Sequence, residues 1–104
     1  MHDPDATYVA RCDDHVFDLR VASDDNGRSR LVLDDLVELL SGGDGRLRSF
    51  GLHEGGECVV PFDQVAAMPP AKREALLLRR LRLVTLAGQL VGMRIDEALA
   101  AIAA

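Results

Sequence analysis

The chain has no tryptophan, one tyrosine (Tyr8) and three phenylalanines (Phe17, Phe50, Phe62). So few rings argue against single-strand nucleic-acid binding, which stacks bases on aromatic side chains. They also leave the core to be built from Leu, Val and Ala. Lysine is nearly missing: Lys72 stands alone beside eleven arginines, a skew that fits a GC-rich bacterial or bacteriophage genome. Positive charge is short overall, and the formal net charge of −5 repels phosphate backbones and anionic lipid. No apolar run approaches the roughly 20 residues of a membrane-spanning helix. The opening residues 1–7, MHDPDAT, lack the basic start and apolar stretch of a secretion signal, so the expected compartment is the cytoplasm. There the two cysteines, Cys12 and Cys58, are expected as reduced thiols. Internal repeats and low-complexity tracts are missing as well.

What the chain does have is a change of character at Pro69-Pro70. Strand-like runs cut by Asp/Asn/Gly turns precede it, and helix-forming sequence rich in Leu, Ala and Arg follows. Charge shifts along the chain too. Residues 1–45 carry eleven acids against four arginines, a balance of −7, whereas residues 46–104 carry six acids against eight bases, a balance of +2. At 104 residues the chain is expected to be a single α+β domain, 1–104, with one modest core.

Thr7 to Cys12 reads as a strand, Asp13-Asp14 as a turn, and His15 to Val21 as a second strand. In that second run Phe17, Leu19 and Val21 share one side, while Val16, Asp18 and Arg20 share the other. Asp24-Asp25-Asn26-Gly27 carries the strongest short hairpin signal, and Arg30 to Leu33 continues the meander. Asp34 or Asp35 is placed to cap a short helix over about 34–41 that stops at Gly42-Gly43. Arg46 to Leu52 is a weaker strand run, and Cys58 to Val60 is a further strand that Pro61 ends. Asp63 can cap one turn of helix over 64–67.

Pro70 suits the first position of a helix. The spacing predicts one long helix over about 70–91, with Glu74, Arg79, Arg82, Thr85 and Gln89 in a polar arc and Leu76, Leu77, Leu81, Leu83 and Leu90 opposite. Leu78 and Leu86 fall inside the polar arc and widen the apolar surface. Gly92 ends the helix, and Asp96-Glu97 favours the start of a short closing helix over about 95–103. The expected architecture is an antiparallel sheet of four or five short strands within residues 7–61, packed against those two C-terminal helices.

Four kinds of chemistry are candidates. Cys12-x2-His15 and His53-x4-Cys58 each flank a proposed hairpin turn, which makes their members cross-strand neighbours with Cβ atoms about 5 Å apart. Facing each other, the two pairs would form a Cys2His2 zinc site. The same pairs could supply a His-activated thiol, yet no pocket-forming framework accompanies them, and the chain reads as a non-enzyme. The 70–91 and 95–103 segments have the connection length of a helix-turn-helix. Their second helix begins with two acids and leaves Arg94 as its one base-reading donor, so nucleic acid is not the expected partner. Arg80 falls in the apolar half of its helix, which calls for an ion pair to a carboxylate of the sheet.

The expected role is a small acidic protein-interaction module: a regulator, adaptor or inhibitor whose turn aspartates Asp13, Asp14, Asp24 and Asp25 attract a basic partner. The excess apolar surface of the 70–91 segment predicts a homodimer formed through it. No cofactor is expected, with zinc as the alternative.

Overall fold

A computed structural model describes residues 7–12, 14–23, 28–54 and 58–102. Six strands, β1 (Thr7–Cys12), β2 (His15–Ser23), β3 (Ser29–Leu33), β4 (Val37–Ser41), β5 (Leu47–Glu54) and β6 (Cys58–Pro61), form one antiparallel sheet in chain order. Four helices follow: α1 (Phe62–Val65), α2 (Pro70–Leu78), α3 (Leu81–Leu90) and α4 (Ile95–Ile102). The fold is therefore mixed α+β, with a larger sheet than the four or five strands expected.

The alternation read in β2 is the one observed. Phe17, Leu19 and Val21 are buried, while Val16, Asp18 and Arg20 are exposed. The same inner face collects Ala10, Leu31, Leu33, Val37, Leu39 and Leu52 into a core that also takes in Leu83, Leu86, Leu90, Ile95 and Leu99 of the helices. α3 packs on β4, α4 on β1, and α1 on β5 and β6.

The extra strand arises where a helix over 34–41 was expected. Asp34 (φ 54°) and Asp35 (φ 55°) are both left-handed, and the Leu36 N–H donates to the Leu33 carbonyl over 2.9 Å. Two successive left-handed residues are what a tight primed hairpin turn needs, and Asp tolerates that region better than most side chains. A helix N-cap takes extended backbone with negative φ, so these aspartates reverse the chain instead of starting a helix. β4 then buries Val37, Leu39 and Ser41 against β3 and β5.

The weak alternation of β5 also has a structural cause. Leu40 pairs with Ser49 but Ser41 pairs with Leu47, so Arg48 is the extra residue of a bulge. A bulge shifts the side-chain phase by one. Leu47 and Leu52, of opposite parity in sequence, are both fully buried as a result.

The expected 70–91 helix is two helices. The Arg80 N–H bonds the Leu77 carbonyl three residues back (2.9 Å), and Arg80 takes φ −119°, ψ 8°, outside helical values. No Pro or Gly marks this break. The Arg80 side chain sets it: its Nη1 donates to the Leu76 carbonyl at 2.8 Å, capping the end of α2, and its Nη2 donates to the His53 carbonyl of β5. A cation at a helix C-terminus is also favoured by the backbone dipoles. The break re-phases the segment that follows. Leu86, on the polar side of a continuous helix, becomes buried with Leu83, Ala87 and Leu90, whereas Leu81 turns outward.

α3 ends as its sequence indicates. Gly92 takes φ 93°, a conformation that favours glycine at a helix end. The segment beyond is tied to the sheet: Gly92 N–H to the Leu47 carbonyl (2.6 Å), Leu47 N–H to the Met93 carbonyl (2.7 Å), and Arg46 Nη1 to the Gly92 carbonyl (2.9 Å). α4 then lays Ile95, Ala98, Leu99 and Ile102 on the core and turns Asp96, Glu97, Ala100 and Ala101 outward.

Candidate functional site

Two of the concave regions formed by the described residues bring charged and apolar groups together. The first borders the α2–α3 junction. The β1–β2 and β3–β4 connections lie at the same end of the meander, and the junction reaches that end. Between them is a groove of about 370 Å³. Leu36, Leu81 and Leu83 give it apolar lining, His15 and Asp34 come from the sheet side, and Arg79 and Arg82 come from the helix side. Leu78 and Leu81 flank the junction at 76% and 59% exposure, the two most exposed leucines among the described residues.

The second region lies where β6 ends and α1 begins. β6 pairs with β5 only from Gly51 to Glu54, so the edge of β5 near Phe50 is left to α1. Phe62 at the start of α1 meets Phe50 there, with ring centroids 4.5 Å apart. Across the sheet the register runs Glu38–Gly51–Pro61, and Gly51 has no side chain to separate its neighbours. A cleft of about 460 Å³ results, lined by Glu38, Leu40, Phe50, Pro61 and Phe62, with Arg48 and Asp63 also on its walls.

Glu38 is the unusual member of this cleft. It is only 8% exposed, and its Oε2 meets His53 Nε2 at 3.3 Å and Arg30 Nη1 at 3.5 Å. His53 is 5% exposed, and its Nδ1 has no hydrogen-bond partner among the described residues. A carboxylate taken this far from water needs such partners, because an unpaired buried charge is strongly destabilising. Beside the cleft, Arg48 is held by Asp44. That hydrogen bond, with one from the Arg46 N–H, holds the Asp44 carboxyl below its ordinary value.

The sequence-derived site residues are scattered by this architecture. Cys12 and His15 are cross-strand partners, as expected, and Cys12 carries a free thiol beside the core. His15 stacks on Phe17 at 5.7 Å between centroids. The second proposed pair does not form. Glu54 is the partner of Cys58, and His53 is the partner of Val59, so His53 and Cys58 are not opposite one another. β3 and β4 also separate β2 from β5. His53 is engaged with Glu38 instead, and among the described residues no three His, Cys, Asp or Glu side chains come close enough to hold a metal ion. The Cys58 side chain lies outside the described groups.

Of the four turn aspartates, Asp14 is exposed, and Asp13, Asp24 and Asp25 lie outside the described residues. Arg80 is buried at 3% exposure, and its described hydrogen bonds run to the backbone carbonyls of Leu76 and His53, whereas the expectation was an ion pair to a carboxylate of the sheet. Glu38 was missed as a site residue because the 34–41 segment read as helix. The signal was there: a lone acid between Val37 and Leu39 is what strand alternation produces.

No family model, curated protein or solved structure matches the chain. Among the described residues, no helix is long and apolar enough to cross a membrane.

Proposed function

We propose that this chain is a small acidic protein-interaction module, a regulator, adaptor or inhibitor without catalysis of its own, and that it pairs with a second copy through the α2–α3 junction. The observation that carries the proposal is the exposure of Leu78 and Leu81, 76% and 59%, side by side at the mouth of the junction groove. Burying an exposed leucine contributes about 1.5–3 kcal/mol, so four leucines brought together from two copies supply a substantial driving force.

The charges beside the leucines favour a two-fold arrangement. Arg79 and Arg82 stand on the helix side of the groove and Asp34 on the sheet side, with exposed Asp14 nearby in the chain. A two-fold interface brings each patch against its own copy, so arginines of one protomer meet aspartates of the other. The acidic N-terminal half then remains as the surface for a basic partner. Multi-angle light scattering at tens of micromolar tests the pairing. The expected result is a dimer for the natural sequence and a folded monomer for the Leu78→Glu/Leu81→Glu double variant. A monomeric natural protein at that concentration would overturn the proposal.

A further inference from the structure

The geometry points to the cleft between Glu38 and Phe62 as a binding site for a small organic cation: an ammonium group on an apolar, preferably aromatic, body. This inference stands apart from the pairing surface and uses different residues.

Three features specify the ligand. The cleft volume of about 460 Å³ lies within the about 300–1,000 Å³ typical of small-molecule sites. Its walls are apolar and aromatic: Leu40, Pro61 and the Phe50–Phe62 pair, whose tilted rings present both faces and edges. Such rings attract a cation held over a face as well as an apolar ring laid against it.

The polar feature is the Glu38 carboxylate. Both of its described contacts, to His53 and to Arg30, use Oε2. No described hydrogen bond or ion pair engages Oε1, and Glu38 lines the cleft while being 8% exposed. An ionised carboxylate only accepts hydrogen bonds, so its complement is a donor, and a charged donor forms the stronger bond.

The flanking charges discriminate against an anion. Asp63 adds a second negative group to the cleft walls, and the one basic group there, Arg48, is already bound to Asp44. An anionic ligand would meet an arginine whose charge Asp44 already offsets and would have to approach two carboxylates. A neutral ligand would leave Oε1 with a weaker donor. The ammonium is the species that satisfies the oxygen and suits the aromatic walls together.

Phenethylammonium chloride is a suitable probe, with 3-phenylpropanoate and 2-phenylethanol as anionic and neutral counterparts of similar size. In 15N-resolved NMR titrations the ammonium should give saturable shifts centred on residues 38, 51 and 62. It should bind about tenfold more tightly than either counterpart. Glu38→Gln should weaken it by about tenfold and abolish the preference over 2-phenylethanol. Because Glu38 belongs to a buried network, Phe62→Ala is the second variant. Phe62 is 38% exposed, its loss leaves the core intact, and binding should again weaken severalfold. Absence of saturable binding by the natural protein would overturn the inference, as would equal binding of the three probes. Unchanged affinity in whichever of the two variants remains folded would do the same.

Discussion

Replacing Arg80 gives the sharpest test of how the helical half is built. Arg80 is 3% exposed at the break between α2 and α3, and its guanidinium donates to the carbonyls of Leu76 and His53. Arg79 and Arg82, its neighbours in sequence, are exposed. Hydrogen bonds to a charged group contribute about 1.5–3 kcal/mol each, so these two together account for about 3–6 kcal/mol. Truncation also relieves the desolvation of a buried cation and lets water reach the freed carbonyls, which offsets part of the loss. A destabilisation of about 3 kcal/mol remains. With a urea slope of about 1.5 kcal/mol/M, the unfolding midpoint of Arg80→Ala should fall by about 2 M. In thermal scans the same change is worth about 12–24 °C. Arg80→Met keeps most of the volume without the donors and should lose nearly as much, whereas Arg80→Lys, with one ammonium for two carbonyls, should fall between. Arg79→Ala and Arg82→Ala should each stay within about 0.5 kcal/mol. Equal, small effects for all three alanine variants in urea titrations would refute the reasoning and leave the helix break without its cause.

Two further expectations concern elements that the sequence alone misassigned. Replacing Asp34-Asp35 by Asn-Gly relieves left-handed strain of about 1 kcal/mol and gives up the exposed Arg20–Asp35 pair (3.3 Å), so chemical denaturation should show a net gain of about 0.5 kcal/mol. Asp35→Val places a β-branched residue at φ 55° and should lose at least about 1 kcal/mol; equal stability would mean the turn is not left-handed. Leu86→Ala should cost about 3 kcal/mol in the same titrations, since Leu86 is 5% exposed, and Leu78→Ala, at 76% exposure in the single chain, less than about 0.5 kcal/mol when the protein is dilute enough to be monomeric. A continuous helix would make both changes small, because it puts both leucines in the polar arc.

How far the sequence reaches differs between the two halves of the candidate surface. Leu78 is legible in the sequence as an apolar residue on a polar arc, and it is exposed in the fold. Its neighbour Leu81 falls on the apolar side of a continuous helix but turns outward, because the break at Arg80 changes the helix phase. The Glu38–His53 contact was not legible at all. It joins residues fifteen apart on adjacent strands and depends on a register that no local pattern displays.

By itself the sequence determined those elements whose short-range periodicity and end signals agree. The strands Thr7–Cys12 and His15–Ser23, the inward set Phe17, Leu19 and Val21, the stop at Gly92 and the closing helix Ile95–Ile102 all follow from side-chain alternation, turn chemistry and end signals within a few residues. Tertiary structure decided the rest. Asp34-Asp35 can cap a helix or turn a hairpin, and pairing with β3 and β5 selects the hairpin. The 79–80 segment can continue a helix, and the buried His53 carbonyl draws Arg80 across and ends α2. His53 can ligate a metal or bond a carboxylate, and register sets it beside Glu38. In each case the local preferences differ by about 1 kcal/mol or less, and burial and hydrogen bonding across the fold, worth several times more, choose between them.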